Sequence, residues 1–177
     1  GNGNTDITVG SVLKATGTSG DGESTITVTA TGQASVTSGN GDKTVDINTA
    51  DAAKIVLGNG DNSVNTDDIN VVSITVGDGE NTISSVRGDT VTVVAGTGGN
   101  TATVSADEIN ITPGTGNDTV VISGMGSTAI GGDANTTGLL NVHVGAGDNT
   151  IVLGRDVSVP GPDWQFGITA LEGSSIS

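Results

Sequence analysis

Gly-x-Gly turns begin at Gly1, Gly20, Gly39, Gly58, Gly77, Gly96, Gly114 and Gly145. The first five intervals are 19 residues each, the next is 18 and the last is 31. A self-similar period of this length means that one coil of backbone stacks on the next, because a single coil cannot bury its own apolar face. Numbered from its first glycine, each coil shows two alternating apolar stretches. Position seven holds Ile7, Ile26, Val45, Val64, Ile83, Ala102, Val120 and Ile151, and position nine runs from Val9 and Val28 to Ile122 and Leu153. Position fifteen holds Ala15, Ala34, Ala53, Val72 and Val91, and position seventeen holds Val36, Ile55, Ile74 and Val93. A period of two is that of a half-buried strand, and nothing longer than one turn has helical periodicity. The expected fold is all-β: a parallel β-solenoid, roll or helix, of about eight 19-residue coils with two short strands per coil.

The repeat places a solenoid domain over residues 1–153, with an inserted Gly-rich loop at 123–137, and leaves 154–177 as a C-terminal cap or linker. That tail contains Trp164 and Phe166, which suit covering the open edge of a solenoid end. Gly1 opens in phase on a coil, and the first coils have the thinnest core, with Ala15, Ala34, Ser19 and Ser38 at inward positions. End-to-end self-association is expected from such an edge.

Charge narrows the partners. Five Lys plus Arg against twenty Asp plus Glu give a net charge of −15. Nucleic acid and anionic membrane surfaces call for a basic patch, so neither is an expected partner; cations are. No apolar run is long enough for a membrane-spanning helix, which argues against direct membrane insertion. No cysteine is present, so disulfides and thiolate metal sites are excluded. With one His, no Tyr and Lys14, Lys43, Lys54, Arg87 and Arg155 scattered over different coil positions, the catalytic inventory is poor and no enzyme is expected.

The stretch Gly114-Thr115-Gly116-Asn117-Asp118-Thr119-Val120 carries a more specific signal. It resembles the nonapeptide turn of the repeats-in-toxin family, Gly-Gly-x-Gly-x-Asp-x-apolar-x, with Pro113 in place of the first Gly. A 19-residue coil with such a turn is similar to solenoids of giant bacterial surface adhesins and S-layer-like proteins. The resemblance implies calcium shared between the Asp carboxylate and turn carbonyls of adjacent coils, with Asp118, Asn117, Gly114 and Gly116 at the matching turn. It also implies a secreted, cell-surface location. Elsewhere the family's Asp position holds Thr5, Ser24, Lys43, Asn62, Asn81, Asn100 or Asn149, and the acid stands one residue earlier at Glu23, Asp42, Asp61, Glu80 and Asp148.

Stacking supplies an independent reason for a cation. In-register coils lie about 4.8 Å apart, so Glu23, Asp42, Asp61 and Glu80 form a file of adjacent like charges. Each neighbouring pair repels by about 1 kcal/mol even at the permittivity of water. A hard divalent ion, bridging these acids with Asn62, Asn81, Asn149 and turn carbonyls, would reverse that repulsion.

The expected function is therefore structural: a calcium-stapled segment of a secreted bacterial surface protein, such as an S-layer, adhesin stalk or extracellular filament. Two alternatives stand beside it. One is a binding module whose Thr/Asx ladder, with Thr25, Thr44, Ser63, Thr82 and Thr101 at position six, contacts ice or glycan. The other is an accessory folding domain of a secreted hydrolase or toxin. The Asp51, Asp67, Asp68, Asp89, Asp107 and Glu108 set at the opposite bend reads as ordinary solvated turn residues. The Arg87-Gly88-Asp89 triplet, the sequence of an integrin ligand, falls on that bend, and such a triplet arises easily by chance in a Gly- and Asp-rich chain.

Overall fold

A computed structural model describes residues 3–125, 139–154, 165–169 and 174–177. The alternating pattern becomes strands throughout, and no helix forms among the described residues. The strands are β1 (Thr5–Val9), β2 (Val12–Ser19), β3 (Ser24–Ser38), β4 (Lys43–Val56), β5 (Ser63–Thr75) and β6 (Thr82–Val94). They continue as β7 (Thr101–Thr112), β8 (Thr119–Met125), β9 (Leu139–His143), β10 (Thr150–Leu153), β11 (Gln165–Thr169) and β12 (Ser175–Ile176). Each coil pairs in parallel with the next, so Ile26, Val45, Val64, Ile83, Ala102, Val120 and Ile151 lie in one file. The fold is a parallel β-solenoid.

Two details differ from expectation. Regular turns number about six rather than eight, and the coils after β7 are broken and irregularly spaced. From β3 to β7 each coil is also one long bent strand of 12 to 15 residues, not two short ones. In β4, β5 and β6 the bend is made by a single residue. Thr49, Asp68 and Arg87, all at position eleven, take φ of 58°, 55° and 57°. One left-handed residue turns the chain while pairing resumes directly after it, so no loop separates the two flat faces. The 18-residue interval is absorbed at this bend, where pairing shifts between Ser85/Val104 and Gly88/Ala106.

Apolar side chains at positions seven, nine, fifteen and seventeen meet between the faces in one continuous core. Where position nine turns polar, Thr66 and Ser85 are both buried, and the Thr66 hydroxyl donates to Ser85 Oγ at 2.8 Å. In the 31-residue interval β9 still stacks on β7, Ile109 opposite Leu140 and Ile111 opposite Val142, so the extra length leaves the coil between β8 and β9. Most of the inserted loop, 126–137, lies outside the described residues, as do Trp164 and residues 155–163 of the tail. The described pieces of that tail extend the stack: β11 pairs with β9, and β12 with β10.

Candidate functional site

The turns stack as closely as the strands. The third turn residue has positive φ in coil after coil, 144° at Gly98 and 136° at Gly116. A Cβ on Gly98 would sit 2.0 Å from the Gly79 carbonyl oxygen, so this backbone approach requires glycine.

Three files of Asx side chains stitch one turn to the next. At position two, Asp21 Oδ1 accepts from the Asn40 N–H at 2.8 Å, and Asn40 and Asn59 repeat the bond to Asn59 and Asp78. At position four, Asp42 Oδ1 accepts from the Asp61 N–H (2.9 Å), Asp61 from Glu80 (2.8 Å), and Asn117 from Asp148 (3.0 Å). These two files are exposed. The third, at position five, is buried: Asn62, Asn81, Asn100, Asp118 and Asn149 are each 1% exposed.

The buried file is an amide ladder. Asn62 Nδ2 donates to Asn81 Oδ1 at 2.8 Å, Asn81 Nδ2 to Asn100 Oδ1 at 2.8 Å, and Asn100 Nδ2 to Asp118 Oδ1 at 3.1 Å. The same nitrogens serve the carbonyls of their own turn: Asn62 those of Gly58 and Gly60, Asn81 those of Gly77 and Gly79, Asn149 those of Gly145 and Gly147. The carbonyls that would face a metal ion at these turns face an N–H instead. At Asn62, Asn81 and Asn149 that donor set does not suit a cation.

In the third coil Lys43 holds the same position, 1% exposed. Its ammonium donates to Gly22 O (2.5 Å), Asn40 O (2.5 Å) and Gly41 O (2.8 Å), spanning two turns. Burial lowers its pKa, partly offset by Asp21 and Asp42. A cation is built into the chain here. Beside it the ladder breaks, leaving Ser24 Oγ and Asn62 Oδ1 buried without partners.

Asp118 is different. Its Oδ1 accepts from the Asn100 backbone and side chain, and its own N–H donates to Asn149 Oδ1 at 3.0 Å. Its Oδ2 is buried without a partner, and residue 118 gives no donor to the carbonyls of Gly114 and Gly116. Burial raises the carboxyl pKa, opposed by the two Asn100 hydrogen bonds. A buried carboxylate oxygen in a turn of carbonyls is an all-oxygen set that fits a hard cation. Among the sequence-expected ligands, the structure thus gathers Asp118, Gly114 and Gly116 at one turn. Glu23, Asp42, Asp61 and Glu80 form the expected exposed file, with Asp148 at position four farther along, but none joins the buried ladder. Among the described residues no three His, Cys, Asp or Glu side chains are grouped to hold a metal.

The opposite bend is less solvated than its composition suggests. Asp67 pairs with Arg87, while Asp107 has a buried oxygen without a partner and a pKa raised by burial and by Asp89. Arg87 of the Arg-Gly-Asp triplet is held by this ion pair, and Gly88 is buried. Sequence reasoning also missed that Lys14 and Lys54 line one groove on the second flat face. Their coil positions, fourteen and sixteen, are neighbouring outward columns, and that was the available signal. No family model matches the chain, and no match was found among curated proteins or solved structures.

Proposed function

We propose that this chain is a rod-forming structural segment of a secreted bacterial surface protein, and that its calcium dependence is concentrated at the turn of Asp118. The observation that carries the structural reading is the coil-on-coil parallel stacking of strands and turns, in register from β3 to β6, in which side chains of the chain itself close the turn carbonyls. Such a coil-on-coil element gives length and stiffness from nearest-neighbour contacts. The acidic composition suits a setting where calcium is abundant, as outside the cell. At Asp118 calcium would supply the positive charge that Oδ2 lacks and would sit against the Gly114 and Gly116 carbonyls, of which the first already accepts from the Gly145 N–H. Val12 is 42% exposed at a position that is buried as Ala50 and Ile69 two and three coils later. A further coil, from a longer chain or a second copy, would cover it and extend the rod end to end.

The test is a thermal melt in millimolar calcium and in chelator, together with small-angle scattering. A rod whose melt rises with calcium, as mass action at a native-state site requires, is expected. Identical melts would remove calcium from the reading, and a compact particle would remove the rod.

A second reading, a hydroxyl-bearing surface that contacts ice or glycan, is favoured by one observation. Positions six and eight form two aligned outward columns, Thr25–Thr44–Ser63–Thr82–Thr101 beside Thr27–Asp46–Asn65–Ser84–Thr103. Inhibition of ice recrystallisation would support it; ordinary crystal growth would discard the ice form.

A further inference from the structure

Basic side chains are few on this rod, and their placement is uneven. Lys43 is buried in the turn ladder and Arg87 is paired with Asp67. Lys14 and Lys54 are exposed and make no ion pair among the described residues, and both line the same groove of about 330 Å3. The groove runs along the second flat face across the first four coils. Strand register builds it: one outward file runs Lys14–Gln33–Ala52–Val71, and in the other Lys54 stands between Ser35 and Ser73. The short side chains of Ala52, Ser35 and Ser73 leave a trough over the buried Ala34 and Ala53, walled by Val71 and the lysine stems. Columns fourteen, sixteen and eighteen contain no Asp or Glu through the first five coils, although the whole chain carries a charge of −15. With coils about 4.8 Å apart, the two lysines stand about 10 Å apart along the axis.

We propose that this groove binds an extended, carboxylate-bearing glycan, with one uronate on each ammonium. The apolar floor suits the C–H face of a sugar ring. The open trough leaves ring hydroxyls in water or on Ser35 and Ser73, and the volume is that of a small-ligand site. Lys14 and Lys54 supply the charge complementarity that a neutral sugar would waste. An acidic peptide fits less well. The groove lies on the face of a sheet whose backbone groups are already paired, so a peptide could not add as a strand, and its amides would sit unpaired over alanine and valine. The site does not depend on calcium or on Asp118.

Calorimetric titration with oligogalacturonate and oligomannuronate, each beside its carboxyl-reduced counterpart, tests the assignment. At least one acidic oligomer is expected to bind, more weakly as salt rises, with little heat from the reduced forms. The Lys14→Gln/Lys54→Gln double variant, with an unchanged circular-dichroism spectrum, should bind about tenfold more weakly. No binding by either oligouronate at millimolar concentration, equal binding of the reduced forms, or undiminished binding by the double variant would overturn it. Sedimentation separates the remaining occupant. Self-association lost in the double variant, without oligouronate binding, would make the groove a contact with the acidic turns of a second copy and end the glycan assignment.

Discussion

Replacing Asp118 with Asn should stabilise the protein in the absence of calcium, although it removes the one acid at the buried turn position. In the native chain Oδ2 is buried and unpartnered, while Oδ1 already accepts from Asn100. The amide keeps the Oδ1 contacts and puts an N–H2 where Asn81 and Asn149 present theirs to the first and third carbonyls of the turn. Relief of one buried unsatisfied group is worth about 1–3 kcal/mol. For a chain of this size that is a rise in melting temperature of about 2–12 °C. The sign with pH follows from burial. The folded carboxyl pKa is raised above its ordinary 3.8, so its contribution to stability is full below that value and is lost as pH rises through the folded pKa. The Gly96–Asn100 turn on one side carries no charge, and Asp148 on the other is exposed, so no neighbouring cation reverses this. Melts in chelator from acid to neutral pH should therefore show native stability falling relative to the Asn variant. Millimolar calcium should stabilise the native chain alone and narrow the gap. A variant that melts below the native protein in chelator, or a gap that does not change with pH, would refute the reasoning.

Two further substitutions probe the turns. Lys43→Met leaves the Gly22, Asn40 and Gly41 carbonyls without their ammonium and should cost about 2–4 kcal/mol in a denaturant titration, whereas Lys43→Asn should lose much less, because its amide can reach the unpartnered Asn62 Oδ1. Gly98→Ala places a methyl group 2.0 Å from Gly79 O at a φ of 144° and should cost about 3 kcal/mol or more, while Gly10→Ala, with open space around its Cβ, should change stability by less than about 1 kcal/mol.

The coil was legible because two signals of different kind agreed. The glycines marked where the chain turns, and alternation marked which side chains point in, so Val36, Ile55, Ile74 and Val93 fall in the core where their parity put them. The single bent strand was not legible. A turn of one left-handed residue needs no glycine or proline to announce it, and Thr49, Asp68 and Arg87 share no side-chain chemistry. The groove escaped for a related reason: lysines at different coil positions look scattered in a linear count, and only stacking places them along one face.

The ladder shows where function and architecture compete for the same residues. Position five has the parity of positions seven and nine, so extending the alternation by one step puts Asn62, Asn81 and Asn100 inside. Their similarity to metal-binding turns drew them outward toward the acids of position four. An Asn supports both readings because it carries an oxygen that can bind an ion and a nitrogen that can replace one. Burial decides between them: with the carbonyls of the turn closed on all sides, something positive or N–H-bearing must sit at position five. From the third coil on, this chain meets that demand with amides, once with an ammonium, and at Asp118 with neither. On the function proposed above, the same physical requirement gives a self-sufficient staple at most coils and leaves the Asp118 turn as the one where a cation would act. A solenoid built in this way would hold its shape without an ion and reserve one turn at which an ion would change its stability.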